Sequence, residues 1–298
     1  MSNDPIPTVR SFYRALTLRV GVFTDSFLGR GRALAQSRLL FEIGREGADV
    51  RELRSRLNLD SGYLSRLLRS LERDRLVEVT TPESDLRSRR ARLTVAGLAE
   101  LQELDRLGDR FAEATLEPLS EAERARLVEA MSDVERLLNL SFTTISAEDP
   151  DSPDAKWCLA QYFAELGERF EEGFEAANSI PADAADLRPP RGIFLLARLD
   201  GRPVGCGAVK ATEPGVGSIK RMWVSQEVRG TGVGRRLLLA LEKEAAAFGM
   251  RLLRLETNRS LHEAQALYRR NGYREVPAFN DDRYADHWFE KPNAYSDP

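Results

Sequence analysis

The chain has 298 residues, a formal net charge of −3 and 42% hydrophobic residues, which is room for two soluble domains and rules out a wholesale polycation. Two histidines and two cysteines make no cluster at zinc-ligand spacing, so no metal is expected. Cys158 and Cys206 sit in apolar surroundings and read as buried free thiols; with no basic-then-apolar leader and no membrane-length apolar run, a soluble cytoplasmic protein is expected.

In chain order, a helix is predicted from about Val9 to Leu28, with Phe12, Leu16, Val20 and Phe23 on one face. A second covers Gly31 to Ile43. Asp49-Val-Arg-Glu52 forms a capping box ahead of Leu53 and Leu57. The chain then turns at Asn58-Leu59, and Asp60 or Ser61 caps another short helix reaching about Glu72. Leu64, Leu67, Leu68 and Leu71 mark its core face, whereas Ser61, Tyr63, Ser65, Arg66, Arg69 and Ser70 point away. Two short helices joined by so tight a turn are a helix-turn-helix candidate.

Val77 and Val79, then Ala91 and Leu93, alternate with polar residues on either side of a polar loop bearing Arg87, Arg89 and Arg90. This predicts a β-hairpin wing whose arginines reach a DNA minor groove beside a helix in the major groove. The alternative is a solvated, charged hairpin. Two long amphipathic helices follow, one from Thr94 with Leu98, Leu101, Leu104, Leu107 and Phe111, the other from the Ser120/Glu123 capping box. Their apolar surface exceeds what the compact core needs and predicts a homodimer interface shared with the first helix.

Across residues 5–140 the chain resembles the MarR family of winged helix-turn-helix regulators. The resemblance rests on Arg51-Glu-Leu, Ser65-Arg-Leu-Leu-Arg-Ser-Leu-Glu, Leu76-Val and Asp85-Leu-Arg87. It implies that Ser61, Tyr63, Ser65, Arg66, Arg69 and Ser70 face a double-stranded operator and that Arg87 and Arg89 belong to the wing.

The acidic, proline-broken stretch Ile145 to Asp154 places a boundary between domains at 1–143 and 144–298. Helical spacing at Trp157, Tyr162 and Leu166 precedes a strand from Ile193, an Asp200-Gly201 hairpin turn and its return from Val204 to Lys210. Ser218 to Val224 is a buried strand. A tight turn, Arg229 to Gly234, then opens a helix carrying Leu237, Leu238 and Leu241. Such a turn gathers backbone N–H groups at a positive helix end and suits a phosphate or pyrophosphate, with Arg229, Arg235 and Arg236 adding charge. Arg235 stands where a P-loop needs lysine and where a dinucleotide fingerprint needs its third glycine, so both fit poorly. The acyl-CoA pattern Arg/Gln-x-x-Gly-x-Gly/Ala is met by Arg229, Gly232 and Gly234. A further strand ends at Glu256-Thr257, a last helix ends near Arg270, and His287-Trp-Phe-Glu lies on a final strand.

From about residue 145 to 292, this order together with Ala266-Leu-Tyr268-Arg-Arg-Asn-Gly-Tyr273 looks like the GNAT superfamily of N-acetyltransferases. The expected fold is therefore multidomain, an all-α-rich winged helix-turn-helix domain followed by an α+β acyl-CoA N-acyltransferase domain. The resemblance implies that acetyl-CoA is held by Met222, Trp223 and Val224 on the strand and by Arg229, Gly230, Thr231, Gly232, Val233, Gly234 and Arg235 in the turn, with Asn258 nearby. It makes Tyr268 the general acid. Many relatives carry a carboxylate where Ser218 stands, so Glu256, or failing it Glu213, is the expected base for an attacking primary amine. Arg169, Phe174, Tyr284 and His287 are expected around the acceptor, and His262 on a helix surface. The alternative to a bifunctional regulator and N-acetyltransferase is a pure regulator whose second domain senses acetyl-CoA or an amine without turnover.

Overall fold

A computed structural model of the protein describes residues 4–21, 26–81, 89–171, 173–175 and 182–293. The chain divides into two compact units, Met1–Val128 and Glu129–Pro298.

The first unit opens with α1 (Ile6–Val20), α2 (Leu34–Ile43), β1 (Ala48–Asp49), α3 (Val50–Arg56) and α4 (Ser61–Arg73). The caps lie where the sequence puts them: an Asp49 carboxylate oxygen accepts the amides of Arg51 and Glu52, and Asp60 accepts that of Tyr63. Leu39, Leu40, Leu53, Leu64, Leu68 and Leu71 are essentially unexposed, and each such side chain removed from water stabilises the unit by roughly 1.5–3 kcal/mol. An antiparallel sheet in the order β1-β3-β2 joins β2 (Val77–Thr80) to β3 (Arg90–Leu93), with Val77 opposite Leu93 and Val79 opposite Ala91. The loop carrying Asp85 and Arg87, and also Phe23, lies outside the described residues. Helix α1 is shorter than its periodicity suggests, because Gly21 in the left-handed region closes it and its N–H bonds the carbonyls of Leu18 and Thr17. Its apolar stripe of Val9, Phe12, Tyr13 and Leu16 stays exposed.

Two long helices follow, α5 (Val95–Leu116), capped by Thr94, and α6 (Glu121–Phe142), opened by the reciprocal Ser120/Glu123 box. Near the start of α5, Glu100 receives Arg30 Nη2 at 2.6 Å and Arg32 Nη1 at 2.9 Å. The bond from Arg30 holds this carboxyl below the usual range against the cost of burial.

The second unit takes the C-terminal half of α6 and then β4 (Thr143–Ala147). Next come α7 (Pro153–Arg169), β5 (Gly192–Leu199), β6 (Arg202–Glu213), β7 (Val216–Val224), α8 (Val233–Ala247), β8 (Leu252–Thr257), α9 (His262–Arg270), β9 (Arg274–Val276) and β10 (His287–Pro292). The sheet order is β4-β5-β6-β7-β8-β10-β9. Neighbours are antiparallel except β7 and β8, which are parallel and joined through α8. Asp200 and Gly201, both at positive φ, turn β5 into β6. One face buries Leu237, Leu238 and Leu241 of α8 with Leu253, Leu255, Tyr268 and Phe289; the other packs Cys158 of α7 on Phe194, Cys206 and Trp223. Cys158 and Cys206 are both buried free thiols. No helix among the described residues is long and apolar enough to cross a membrane.

Gly97, in the first turn of α5, passes so close to β2 that a Cβ there would stand 2.0 Å from the Leu76 carbonyl oxygen. Gly97→Ala should therefore cost about 1–3 kcal/mol or more, read as a lower urea midpoint. A midpoint unchanged from wild type would contradict this packing.

Candidate active site and nucleic-acid interface

The site of the second unit begins with a sheet that comes apart. Strands β7 and β8 pair only at Val216–Leu252, Gly217–Leu253 and Ser218–Arg254. Beyond Ser218 each strand continues without the other. On its opposite edge β7 carries a bulge: Trp223 faces Cys206 and Lys220 faces Ala208, so Arg221 and Met222 share Gly207. Arg221 takes φ 57°, rare for a side-chain-bearing residue. Gly207 is needed there, since a Cβ would lie 2.7 Å from Met222 Sδ. Two adjoining cavities occupy the opening, of about 720 and 90 Å³. They share Tyr162, Leu166, Met222, Leu261, Ala264 and Tyr268.

The larger groove runs along the Met222–Val224 edge to the turn before α8. Gly232 caps α8 at φ 102°, and the opening amides of the helix have no intrahelical acceptor. Gly230, at φ 75°, has nothing within 4 Å of where its Cβ would be, so the groove lies open over the turn. Thr231 and Val233 instead face inward: Thr231 Oγ1 donates to the Val228 carbonyl at 2.6 Å, and Val233 is fully buried. The arginines differ from expectation. Arg229 donates through Nε to the Val224 carbonyl at 2.9 Å and through Nη2 to Glu165, while Arg236 bonds the Leu140 carbonyl. Both brace the turn, which leaves Arg235 as the arginine of the three that lines the groove without a protein bond among the described residues.

Glu165, on α7, was not singled out by the sequence. It accepts Trp223 Nε1 at 2.9 Å, Arg229 Nη2 and Arg169 Nη1 at 3.2 Å. Burial opposes its ionisation, but bonds from Arg229, Arg169 and Trp223 outweigh burial and hold its carboxyl below the usual range. Arg169 also bonds the Ser260 carbonyl and Glu263, so it ties α7 to α9 and is not free to hold a ligand.

The smaller cavity holds charges that the sequence did not bring together. Glu256, expected as the base, is ion-paired through Oε1 with Lys220 of β7; its Oε2 is buried and has no hydrogen-bond partner among the described residues. Burial pushes the Lys220 ammonium down to about 8, with Asp282 opposing and Lys210 and Arg221 assisting. Arg221 and Asp282 line the same space. Its apolar wall comes from Phe170, Phe174 and Tyr284, with Phe174 and Tyr284 ring centroids 4.9 Å apart. Asn258 belongs to this cavity and not to the larger groove; it donates to the Tyr284 carbonyl at 2.8 Å and accepts the Ser260 amide. Tyr268 lines both cavities, and burial raises its phenol well above the usual value, so it stays protonated at any physiological pH.

Other residues fall outside. Ser218 sits where β7 and β8 are still paired. Glu213 is exposed and faces Arg254 at 3.6 Å, and His287 Nδ1 lies 2.6 Å from Glu275; neither lines a cavity. His262 begins α9.

In the first unit, Ser61, Tyr63, Arg66 and Arg69 are exposed along α4 and Ser65 is half-buried. The Arg66 guanidinium lies over the Tyr63 ring, 5.7 Å from its centroid. Ser70 is committed inward, accepting Gln36 Nε2 at 3.0 Å. Arg89 is exposed, and its carbonyl accepts the Val50 amide beside β3.

Because the folded Glu165 carboxyl titrates below its unfolded value, its stabilisation is present above the ordinary carboxylate range and is lost as pH falls through the folded value. Glu165→Gln should cost about 1.5–3 kcal/mol near neutrality, with the difference from wild type vanishing in acid. A difference independent of pH in thermal melts would contradict the charge-based account.

Residues 158–273 match the family model for the acetyltransferase (GNAT) family, and residues 30–88 match that for the MarR family. The IAA acetyltransferase of Azospirillum brasilense is 39% identical over 137 residues, which are 46% of this chain and 87% of that protein. An uncharacterized N-acetyltransferase of Escherichia coli, YjgM, is 25% identical over 42% of this chain and 78% of its own length. The wild-type MarR structure from E. coli covers 44% of this chain and 98% of its own, at 24% identity and a TM-score of 0.39. With the opened sheet and glycine turn in the region matched, the chain belongs to the GNAT family of acetyltransferases, and it carries a MarR-like helix-turn-helix unit ahead of that domain.

Proposed function

We propose that the second unit transfers an acetyl group from acetyl-CoA to a primary amine by direct attack, and that the first unit binds double-stranded DNA as a homodimer. One observation carries the first reading: Tyr268, a buried and protonated phenol, stands where a long groove meets a small charged cavity. The groove fits the donor. Opening amides of α8 and the Arg235 side chain suit its diphosphate, and the unpaired Met222–Val224 edge suits the amide-bearing arm. Trp223, held by Glu165, sits along that edge.

A backbone N–H near Val224 would face the thioester oxygen as it gains charge; one such donor typically contributes ~10²–10³ in turnover. The amine enters from the smaller cavity. Its nitrogen forms the C–N bond as the C–S bond breaks, its proton passes to Glu256 Oε2 directly or through water, and Tyr268 supplies a proton to the departing sulfur. Lys220 compensates the Glu256 charge, and nothing in this scheme needs a carboxylate at Ser218. That weakens the sensor-only alternative, which the absent carboxylate had favoured. The relation to an acetyltransferase at 39% identity supports turnover as well.

For the first unit, the exposed Tyr63, Arg66 and Arg69 on α4 support major-groove contact. The uncovered α1 stripe and the exposed Phe111, Val128 and Met131 of α5 and α6 support dimerisation. Arg66→Ala combined with Arg87→Ala should abolish operator binding and leave acetyl-CoA affinity intact. Each arginine–phosphate pairing removed in this way lowers the salt slope by about one unit. Unchanged DNA affinity in a titration of that double variant would overturn the DNA reading.

Tyr268→Phe keeps the ring and removes the proton donor. It should retain acetyl-CoA affinity by calorimetry and lose up to ~10²–10⁴ in single-turnover rate. Gly232→Glu puts a side chain and a negative charge at the helix terminus, so acetyl-CoA binding should collapse. Full turnover in Tyr268→Phe removes Tyr268 as the acid, and tight binding without turnover on any amine returns the sensor.

A further inference from the structure

We infer that the acceptor is a free α-amino acid with an apolar side chain, its ammonium drawn to Glu256 and its carboxylate to Arg221. This rests on the reading that the smaller cavity receives the amine. Four ionic side chains line that cavity, Lys220, Arg221, Glu256 and Asp282, and their formal charges cancel. A cavity of balanced charge complements a zwitterion. A polyamine or a simple amine would leave the cationic half unanswered.

The two halves are poised for such a ligand. Glu256 is 7% exposed; Lys220 takes one of its oxygens, and the other, Oε2, is buried with no hydrogen bond among the described residues. An unsatisfied buried carboxylate oxygen is costly until a donor arrives, and an ammonium is a strong one. Arg221 is held at φ 57° in the β7 bulge, a conformation usually kept only where surrounding structure enforces it. Its guanidinium lies over the Phe163 ring, 4.9 Å from the centroid, and makes no ion pair among the described residues. Stacking occupies the face of the guanidinium, and its edge, which also meets the Tyr162 hydroxyl, keeps further N–H donors for a planar carboxylate.

Size and lining set the side chain. The cavity is small, about 90 Å³, which suits a small acceptor. Phe170, Phe174 and Tyr284 supply the apolar wall. The bound ammonium first gives one proton to Glu256, and the free amine then attacks the thioester carbon as the C–S bond breaks. The second nitrogen proton replaces the one that Tyr268 hands to sulfur. The products would be an N-acetyl amino acid, coenzyme A as the free thiol and one proton released to solvent.

The test uses the full-length protein with L-phenylalanine and L-leucine against phenethylamine and spermidine. Thiol release reports turnover, and calorimetry in the presence of coenzyme A reports binding. Either amino acid should exceed phenethylamine at least tenfold in kcat/KM. Arg221→Gln should raise the KM for L-phenylalanine by about tenfold to a hundredfold and erase that preference. Wild-type turnover of phenethylamine or spermidine that equals or exceeds that of the amino acids overturns the amino-acid class and leaves the transferase standing. Amino-acid binding without thiol release keeps the site and overturns the transferase. Binding of neither amino acid overturns this inference outright. The wild-type comparison decides even if the variant fails to fold.

Discussion

The second unit depends on parallel pairing between β7 and β8 that stops after three residue pairs. An interrupted sheet leaves backbone donors and acceptors unpaired inside a domain, which is costly unless something fills the gap. The core keeps the gap from closing. Leu255 and Tyr268 are buried with Ile219 and Phe289 beneath it, while the bulge at Arg221 and Met222 turns β7 away from β8. The free strand edge, the groove and the small cavity all follow from that divergence. Removing the bulge would exchange the faces of the residues on one side of it relative to those on the other.

Glu165 shows how the opening is kept in shape. It joins α7 to the β7 edge through Trp223, to the glycine turn through Arg229 and to the α9 side through Arg169. Three donors on one carboxylate satisfy its oxygens well, so this charge is spent on geometry. Glu256 is the contrast: one oxygen is bound and the other is left over. The number of satisfied oxygens separates the bracing carboxylate from the one proposed as the base more sharply than burial, since both are mostly buried. Lys220 has a further consequence. Burial pushes its ammonium down to about 8, so the charge balance of the small cavity changes as pH rises through that value.

Much of this was legible in the sequence, and the parts that were not share a cause. Asp49, Asp60, Thr94 and Ser120 announced helix starts because a cap acts within three residues. The glycine turn and the α9 stretch around Tyr268 were legible for the same reason. Lys220–Glu256 and Arg229–Glu165 span 36 and 64 residues, and no local pattern encodes a partner so distant. The bulge also hides the site, because it breaks the alternation by which Lys220 and Met222 would have been assigned a face. The protein bonds of Arg229 and Arg236 were not legible, because a cation beside a glycine turn looks the same in sequence whether it meets phosphate or backbone carbonyl. Asn258 was placed by its strand end, and its bond to the Tyr284 carbonyl draws it to the smaller cavity.

The raised phenol of Tyr268 bears on whether it can serve as an acid. A tyrosine near its ordinary value of about 10 and a thiol near about 8.5 differ by roughly 1.5 units, or about 2 kcal/mol against proton transfer. Burial lifts Tyr268 further, which alone would widen the gap. In the proposed reaction the sulfur would depart at the junction of the two cavities beside the buried Tyr268, where desolvation would penalise its anion as well. The two penalties would then oppose each other in the difference. What remains is a barrier of about the ordinary size, small beside the span of typical turnover barriers. Meanwhile the raised value keeps the proton on Tyr268 until a thiolate appears, which is the property a donor at that junction needs.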